Sequence, residues 1–230
     1  MNLELFQRAF PILINGFWIT IILTALSVAI GFNLGIGLAL ARQAQNRLLS
    51  GFAKYYSSFF RGTPLIVQLF LIYYGLGQLV FIQQSPALWW IISDGTRCAV
   101  LSLALNTAAY TSEILRGGLM SIPSGLIDAA KATGMSRLTR LRRIEFPLAI
   151  RQALPAYGNE LMLVVKGTSL ASTITVLEIT GYAKRLMSQT FAFFEVFAMA
   201  GLIYLAFNLA LVALLRTLEY RLTRYQHLSR

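Results

Sequence analysis

Ile12-Leu-Ile-Asn-Gly-Phe-Trp-Ile-Thr-Ile-Ile-Leu-Thr-Ala-Leu-Ser-Val-Ala-Ile-Gly-Phe-Asn-Leu-Gly-Ile-Gly-Leu-Ala-Leu-Ala41 runs for thirty residues without one charged side chain. A helix of about 20 apolar residues crosses the hydrocarbon of a bilayer, so this stretch spans a membrane with length left for tilt. It does not read as a cleavable signal peptide. Met1–Pro11 carries Glu4 and a single Arg8 in place of a basic leader, and the run exceeds the roughly 7–15 apolar residues of a signal. Working outward, further apolar runs with few charges lie at about 64–82, 98–115, 154–176 and 196–215. Five crossings are expected, and a chain whose backbone must satisfy itself in lipid crosses as helix, so the fold class is all-α.

Composition agrees. Of 230 residues, 57% are hydrophobic and 13% charged, with mean hydropathy +0.64, against about 45–50% and 25% in soluble domains. The length fits one membrane domain, 1–230, and leaves no room for a separate catalytic domain. Twenty Lys and Arg against nine acids give a net charge of +11. These residues border apolar runs and form no single stripe, which argues against a nucleic-acid partner and for a lipid one. Cys98 and His227 are the lone residues of their types, which excludes a disulfide framework and a zinc site with several Cys and His ligands; no metal is expected.

The same charges orient the chain. Arg42, Arg47, Lys54 and Arg61 fall in the first connection, seven basic residues from Arg116 to Arg151 in the third, and Arg216, Arg221, Arg224 and Arg230 in the tail. The opposite side holds Arg8, Arg97, Lys184 and Arg185, and Lys166 lies within the fourth run. Loops rich in Lys and Arg stay in the cytoplasm, so the N-terminus is expected outside and the C-terminus inside, a split that requires an odd number of spans.

The long connection 117–153 has internal structure. Pro123-Ser124 precede Gly-Leu-Ile-Asp-Ala-Ala-Lys-Ala-Thr, and Gly134 follows: a short capped helix ended by a residue able to take positive φ. Asp128 falls near its start, where the helix dipole favours a carboxylate. About ten residues reach only ~15 Å, too short to cross. Ser136 opens a second, basic helix through Arg143, expected to close before Pro147. Ala129, Ala130 and Ala132 leave the first helix with small side chains, which suits close approach of another protein.

Asp128-Ala129-Ala130, three residues, Gly134, nine residues, Ile144, one residue, Phe146-Pro147 resembles the EAA loop of ATP-binding-cassette importer permeases, with Asp in place of Glu and Phe in place of Leu. Residues 60–185 are similar to the polar amino acid branch of that family, the histidine, arginine and opine importers. The stretches are Phe60-Arg-Gly-Thr-Pro-Leu65 with Gln68, Leu105-Asn-Thr-Ala-Ala-Tyr110 with Glu113, Leu154-Pro-Ala-Tyr-Gly-Asn-Glu160, and Lys166-Gly-Thr-Ser-Leu-Ala-Ser-Thr173. The resemblance implies a multi-pass protein of the bacterial inner membrane. It also implies a cytoplasmic coupling helix seated in a partner ATPase, with Asp128, Ala129, Ala130, Gly134, Ile144 and Pro147 as coupling residues.

Ionisable residues within spans tend to mark pathways. Asn106, Tyr110 and Glu113 share one helical stripe; Asn159 and Lys166 share another, with Glu160 beside it. An amino acid substrate needs a carboxylate for its ammonium, which Glu160 offers. It also needs donors for its own carboxylate, which Lys166, Thr168, Ser169 and Ser172 offer. Gly167 marks an expected irregularity in the fourth run. Two alternatives stand beside these assignments: Glu160 and Lys166 pair with each other, or Glu113 pairs with Arg116 at the cytoplasmic end.

The chain has no Gly-Lys-Ser/Thr phosphate loop and is expected to be a non-catalytic subunit, without a cofactor of its own, whose ATP is used by a partner ATPase dimer. An external solute-binding protein and a second permease, identical or related, complete the expected assembly. The competing reading is a passive channel or pore, which would not require the EAA-like loop.

Overall fold

The computed structural model describes residues 3–223; Arg224, His227 and Arg230, part of the basic tail, lie outside the described residues. Every regular element among the described residues is helical. The first apolar run lies within α1 (Leu3–Arg42), which begins nine residues ahead of Ile12. Its buried positions are Ala9, Leu13, Gly16, Thr20, Leu23, Ser27, Gly31, Gly35 and Ala39, one every three or four residues along a single face. Most of them are small, and lipid offers no hydrophobic drive to press helices together, so close backbone approach supplies the contact.

That face packs on α6 (Gly95–Met120), the most enclosed helix, whose Ala104, Thr107, Ala108 and Thr111 are all buried. A Cβ on Gly35 would stand 2.6 Å from Thr111 Cβ, so the α1 backbone lies directly against the Thr111 side chain there. α6 starts on Asp94, whose carboxylate accepts from Arg97 N at 2.9 Å, a side-chain cap of the kind that satisfies a first-turn N–H.

Between α1 and α6 lies the α2 helix (Arg47–Gly62), capped by Asn46, and then a turn of 104° at Thr63-Pro64. The second apolar run is therefore not one regular helix. It is α3 (Leu65–Phe70), a π-turn (Leu71–Gly75), a 3₁₀ turn (Leu76–Gln78) and α4 (Val80–Gln84), followed by α5 (Pro86–Ile92).

Beyond α6 come α7 (Ser124–Ala132), α8 (Arg137–Arg140), a π-turn (Leu141–Glu145) and α9 (Phe146–Gly167). The second helix of the long connection does not close before Pro147. The π-turn widens the chain immediately ahead of the proline, which gives its ring room and lets the helix run unbroken into α9. At Gly167 the α-helix gives way to a 3₁₀ segment, Thr168–Ile174, then α10 (Ile179–Thr190) and α11 (Phe193–Thr223).

By length and apolarity, residues 4–42, 95–120 and 193–221 each suffice to cross a membrane, and the bent pairs 47–62 with 65–78 and 137–174 with 179–190 raise the count to as many as five. α11 leaves Leu202, Leu205, Leu209 and Leu214 exposed, a side suited to hydrocarbon.

Candidate functional site

The turn between α2 and α3 is where the site begins. Pro64 has no N–H, and the helix stops at Gly62, so carbonyls at Phe60 and Thr63 lose their usual helical partners. Two side-chain amides replace them. Gln68 Nε2 donates to Phe60 O at 2.8 Å, Thr63 O at 3.0 Å and Thr63 Oγ1 at 2.8 Å, while Asn106 Nδ2 donates to Phe60 O at 3.1 Å and Gln68 Oε1 at 3.0 Å. The Phe60-Arg-Gly-Thr-Pro64 stretch is thereby clamped to α6. Asn106, one of the three stripe residues, spends its amide on this clamp.

Beside the clamp a cavity of about 210 Å³ opens between α3, α6 and α9, with Leu65, Asn106, Thr107, Tyr110, Glu160 and Val164 among its walls. Glu160 is 5% exposed, and its Oε1 accepts from Thr107 Oγ1 at 2.6 Å. Among the described residues none of the ion pairs includes Glu160. A buried carboxylate without a counter-charge costs several kcal/mol in a low-dielectric setting, roughly the penalty of stranding one ion of a pair. The arrangement is poised for a cation or a proton from outside the chain. Thr107 is the residue the sequence reading passes over. Its signal is its place in Ala104-xxx-Ala108, the small-residue face on which α1 packs.

The other candidates do not gather around Glu160. Asn159 is exposed and lines a separate cleft of about 270 Å³ with Met162, Leu215, Arg216 and Glu219, on the α11 side of α9. Lys166 is exposed and makes no ion pair with Glu160; six residues on a helix rotate one side chain about 120° from the other. Thr168, Ser169 and Ser172 each donate to the carbonyl three residues back, at 2.7, 2.7 and 2.8 Å, so these hydroxyls serve the 3₁₀ backbone. Ser172 Oγ also accepts from Lys184 Nζ at 2.8 Å. Glu113 sits among arginines: Arg116 Nη2 at 2.9 Å, Arg61 Nη2 at 3.9 Å, and Arg42 paired with its other oxygen. It is absent from the walls of the Glu160 cavity.

A second buried carboxylate, Glu178, was not singled out from sequence. It is fully buried, caps α10 through Gly181 N at 2.8 Å, and accepts from Tyr204 OH on α11. Gly16 on α1 admits this corner, since a Cβ there would lie 2.7 Å from Ile179 N. With all its contacts inside the chain, Glu178 ties three helices together.

The short helix of the long connection is α7. Asp128 and Ala129 are exposed, with Asp128 paired to Lys131 at 2.9 Å, while Ala130 is buried. Its end is a Schellman motif: Met135 N bonds Ala130 O at 3.2 Å, Gly134 N bonds Lys131 O at 2.9 Å, and Gly134 takes φ +76°. Ile144 lies in the π-turn and Pro147 at the start of α9. Arg137 Nη2 donates to Gln43 O at 2.7 Å, which fastens α8 to the end of α1. Arg140 and Glu145 pair across the π-turn.

A membrane helical bundle with a buried carboxylate on a cavity wall and an exposed short helix has the parts of a membrane transport component. The chain belongs to the family of binding-protein-dependent transport system inner membrane components, which matches residues 31–224. It is the membrane-embedded permease of such a system. It is 48% identical over 220 residues to the nopaline transport system permease protein NocM of Agrobacterium fabrum, covering 96% of this chain and 91% of that one. It is 38% identical over 222 residues to the arginine ABC transporter permease protein ArtM of Haemophilus influenzae, covering 96% of this chain and 97% of that one. Among solved structures, an amino acid ABC transporter crystallised with histidines superposes with TM-score 0.86 at 32% identity, over 96% of this chain and 99% of that one.

Proposed function

We propose that this chain is the permease subunit of an ATP-driven importer of basic amino acids or their opine derivatives, and that Glu160 receives the cationic end of the substrate. Arginine and nopaline, named for two of the relatives, both carry a guanidinium. The observation that carries the reading is Glu160 itself: 5% exposed, on the wall of a cavity, and in no ion pair with a cation among the described residues. Thr107 holds one carboxylate oxygen, and a carboxylate has acceptor sites to spare for a guanidinium fork. Asn106 and Tyr110 share that cavity wall. Thr168, Ser169 and Ser172 then serve as backbone braces, and Glu113 as the centre of an arginine cluster.

In the same reading residues 1–230 form one membrane domain of five crossings, N-terminus outside and C-terminus inside. The exposed face of α7 with Asp128 and Ala129 docks in a cleft of an ATPase subunit; Gly134, Ile144 and Pro147 fix how α7 joins α9. Motion of α7 passes through the turn at Gly134 into α8, which runs on through the π-turn into α9, the helix that carries Glu160, and which is tied to the end of α1 through Arg137 and Gln43. The ATPase dimer supplies hydrolysis, a solute-binding protein delivers substrate, and a second permease closes the path. The chain itself is non-catalytic and carries no cofactor or metal.

The test is uptake of labelled arginine and nopaline into vesicles holding the assembled transporter with ATP inside. Accumulation that stops when ATP is withheld supports the reading. Downhill flux at full rate without ATP or the ATPase points to a channel and overturns it.

A further inference from the structure

α2 runs antiparallel to α6 and is bonded along its middle. The hydroxyls of Ser57 and Ser112 lie 2.8 Å apart, Tyr56 OH donates to Leu105 O at 2.8 Å, and Asn106 Nδ2 donates to Phe60 O at 3.1 Å. Arg61, the next residue, therefore leaves α2 at the level of Asn106. Its guanidinium ends at Glu113, seven residues further along α6, with Nη2 3.9 Å from the carboxylate. Asn106, Tyr110 and Glu113 form one stripe of α6, so the Arg61 side chain runs along that stripe past Tyr110. Asn106 and Tyr110 are walls of the Glu160 cavity, which sets the guanidinium at the Glu113 end of that cavity. About half a turn of α2 separates Arg61 from the exposed aromatic side with Phe52, Tyr55 and Phe59.

Arg61 is also the member of its cluster with charge to spare. Arg42 pairs with one oxygen of Glu113, and Arg116 donates to the other from Nε at 3.1 Å and Nη2 at 2.9 Å. Arg61 is left at 3.9 Å, beyond hydrogen-bond length. Among the described residues it has no other acid within ion-pair distance, and its side chain is 39% exposed. Its planar fork is open to a further carboxylate.

On the reading that Glu160 takes the cation, we propose that Arg61 holds the α-carboxylate of the same substrate, so that a guanidino amino acid is recognised by both ends. The spacing fits. Glu160 is fixed by Thr107, and from Thr107 to Glu113 is six residues of α6, about 9 Å at 1.5 Å per residue. Extended arginine crosses six bonds from guanidinium carbon to carboxylate carbon, roughly 7–8 Å for a zigzag of bonds near 1.5 Å, which brings its carboxylate to Arg61 just short of Glu113. The other cations fit less well. Lys166 is turned about 120° from Glu160 around α9, and Arg116 spends its fork on Glu113.

The test is binding to the assembled transporter in lipid nanodiscs, with the solute-binding protein left out so that its own selectivity does not enter. Labelled arginine is displaced by arginine, by argininamide and agmatine, which keep the guanidinium and lack the carboxylate, and by citrulline, which keeps the carboxylate and lacks the cation. The wild type is expected to bind arginine about 10–100-fold more tightly than argininamide or agmatine, the worth of one charge-assisted pair. Arg61→Gln should lose that factor for arginine alone and bind the three about equally. Arg61→Lys, which keeps the charge without the fork, should restore part of it. Glu113 keeps Arg42 and Arg116 in both variants. Equal binding of arginine and argininamide by the wild type, a comparison that needs no variant, overturns the assignment of Arg61, as does an unchanged preference in folded Arg61→Gln. Citrulline reports on Glu160 separately: parity with arginine sinks the reading of Glu160, while the argininamide comparison still decides Arg61.

Discussion

Alanine at position 31 should damage this protein far more than alanine at position 37, although both glycines lie in the same helix. At Gly31 the new Cβ would overlap the Thr107 methyl and stand 2.9 Å from Ala104 O; at Gly37 it would meet nothing within 4 Å. Gly→Ala inside a helix gains roughly 0.5–1 kcal/mol in backbone entropy, and this is all that Gly37→Ala experiences. Gly31→Ala has the same gain, but forcing its methyl into a packed contact costs about 1–3 kcal/mol, so the two variants should differ by about 1–3 kcal/mol. The damage reaches function because Thr107 is the residue that holds Glu160 at 2.6 Å. The assay is thermal unfolding of the purified protein alongside uptake. Thr107→Ser removes the methyl but keeps the hydroxyl, so it should restore part of the lost stability and uptake in the Gly31→Ala background. Equal stability of the two alanine variants, or no rescue by Thr107→Ser, would refute the packing argument.

Further outcomes follow from the turns and caps. Gln68→Leu leaves the carbonyl of Thr63 and one bond to Phe60 unmet, at about 1–3 kcal/mol for a stranded buried group, and should loosen the α2–α3 corner, read as faster proteolysis there. Gly134→Ala costs about 1–2 kcal/mol because a Cβ is strained at φ +76° even though nothing crowds it. Uptake should fall while membrane insertion, read by fractionation, stays normal, and Gly134→Asp should abolish uptake. Tyr204→Phe removes the hydroxyl that reaches Glu178 and should lower the unfolding temperature by several degrees, with substrate affinity unchanged.

The membrane character, the short helix and its terminating glycine are legible in the sequence, because they rest on local rules of apolar length and positive φ at Gly134; the expected cap is not formed, since α7 starts at Ser124 itself with Pro123 before it and no side-chain hydrogen bond, and Asp128 falls at mid-helix. The candidate site is legible only in part. Periodicity places Asn159 and Glu160 on adjoining sides of a helix, but which neighbour each side meets is decided by tertiary packing, and α6 and α11 take one each. The hydroxyls of Thr168, Ser169 and Ser172 count as free donors in a sequence; the 3₁₀ turn binds them to carbonyls three residues back. Glu113 has the arginines of three different helices around it, and two of those, Arg42 and Arg61, are more than fifty residues away in sequence. Reading Arg47–Arg61 as a charged connection counts its basic residues for orientation and overlooks the apolar face at a spacing of three and four. Gly31-xxx-Gly35 opposite Ala104-xxx-Ala108 was available to inspection, yet nothing local says that the two segments meet.

The most direct measurement compares ATP-driven uptake of arginine with that of citrulline, its uncharged analogue, by the wild-type transporter and by Glu160→Gln. If the buried carboxylate receives the cation, the wild type prefers arginine, and Glu160→Gln loses about 10–100-fold of arginine uptake, the equivalent of one charge-assisted hydrogen bond, while the preference over citrulline shrinks. Undiminished arginine uptake with the same preference in Glu160→Gln would contradict it and return Glu160 to a purely structural role.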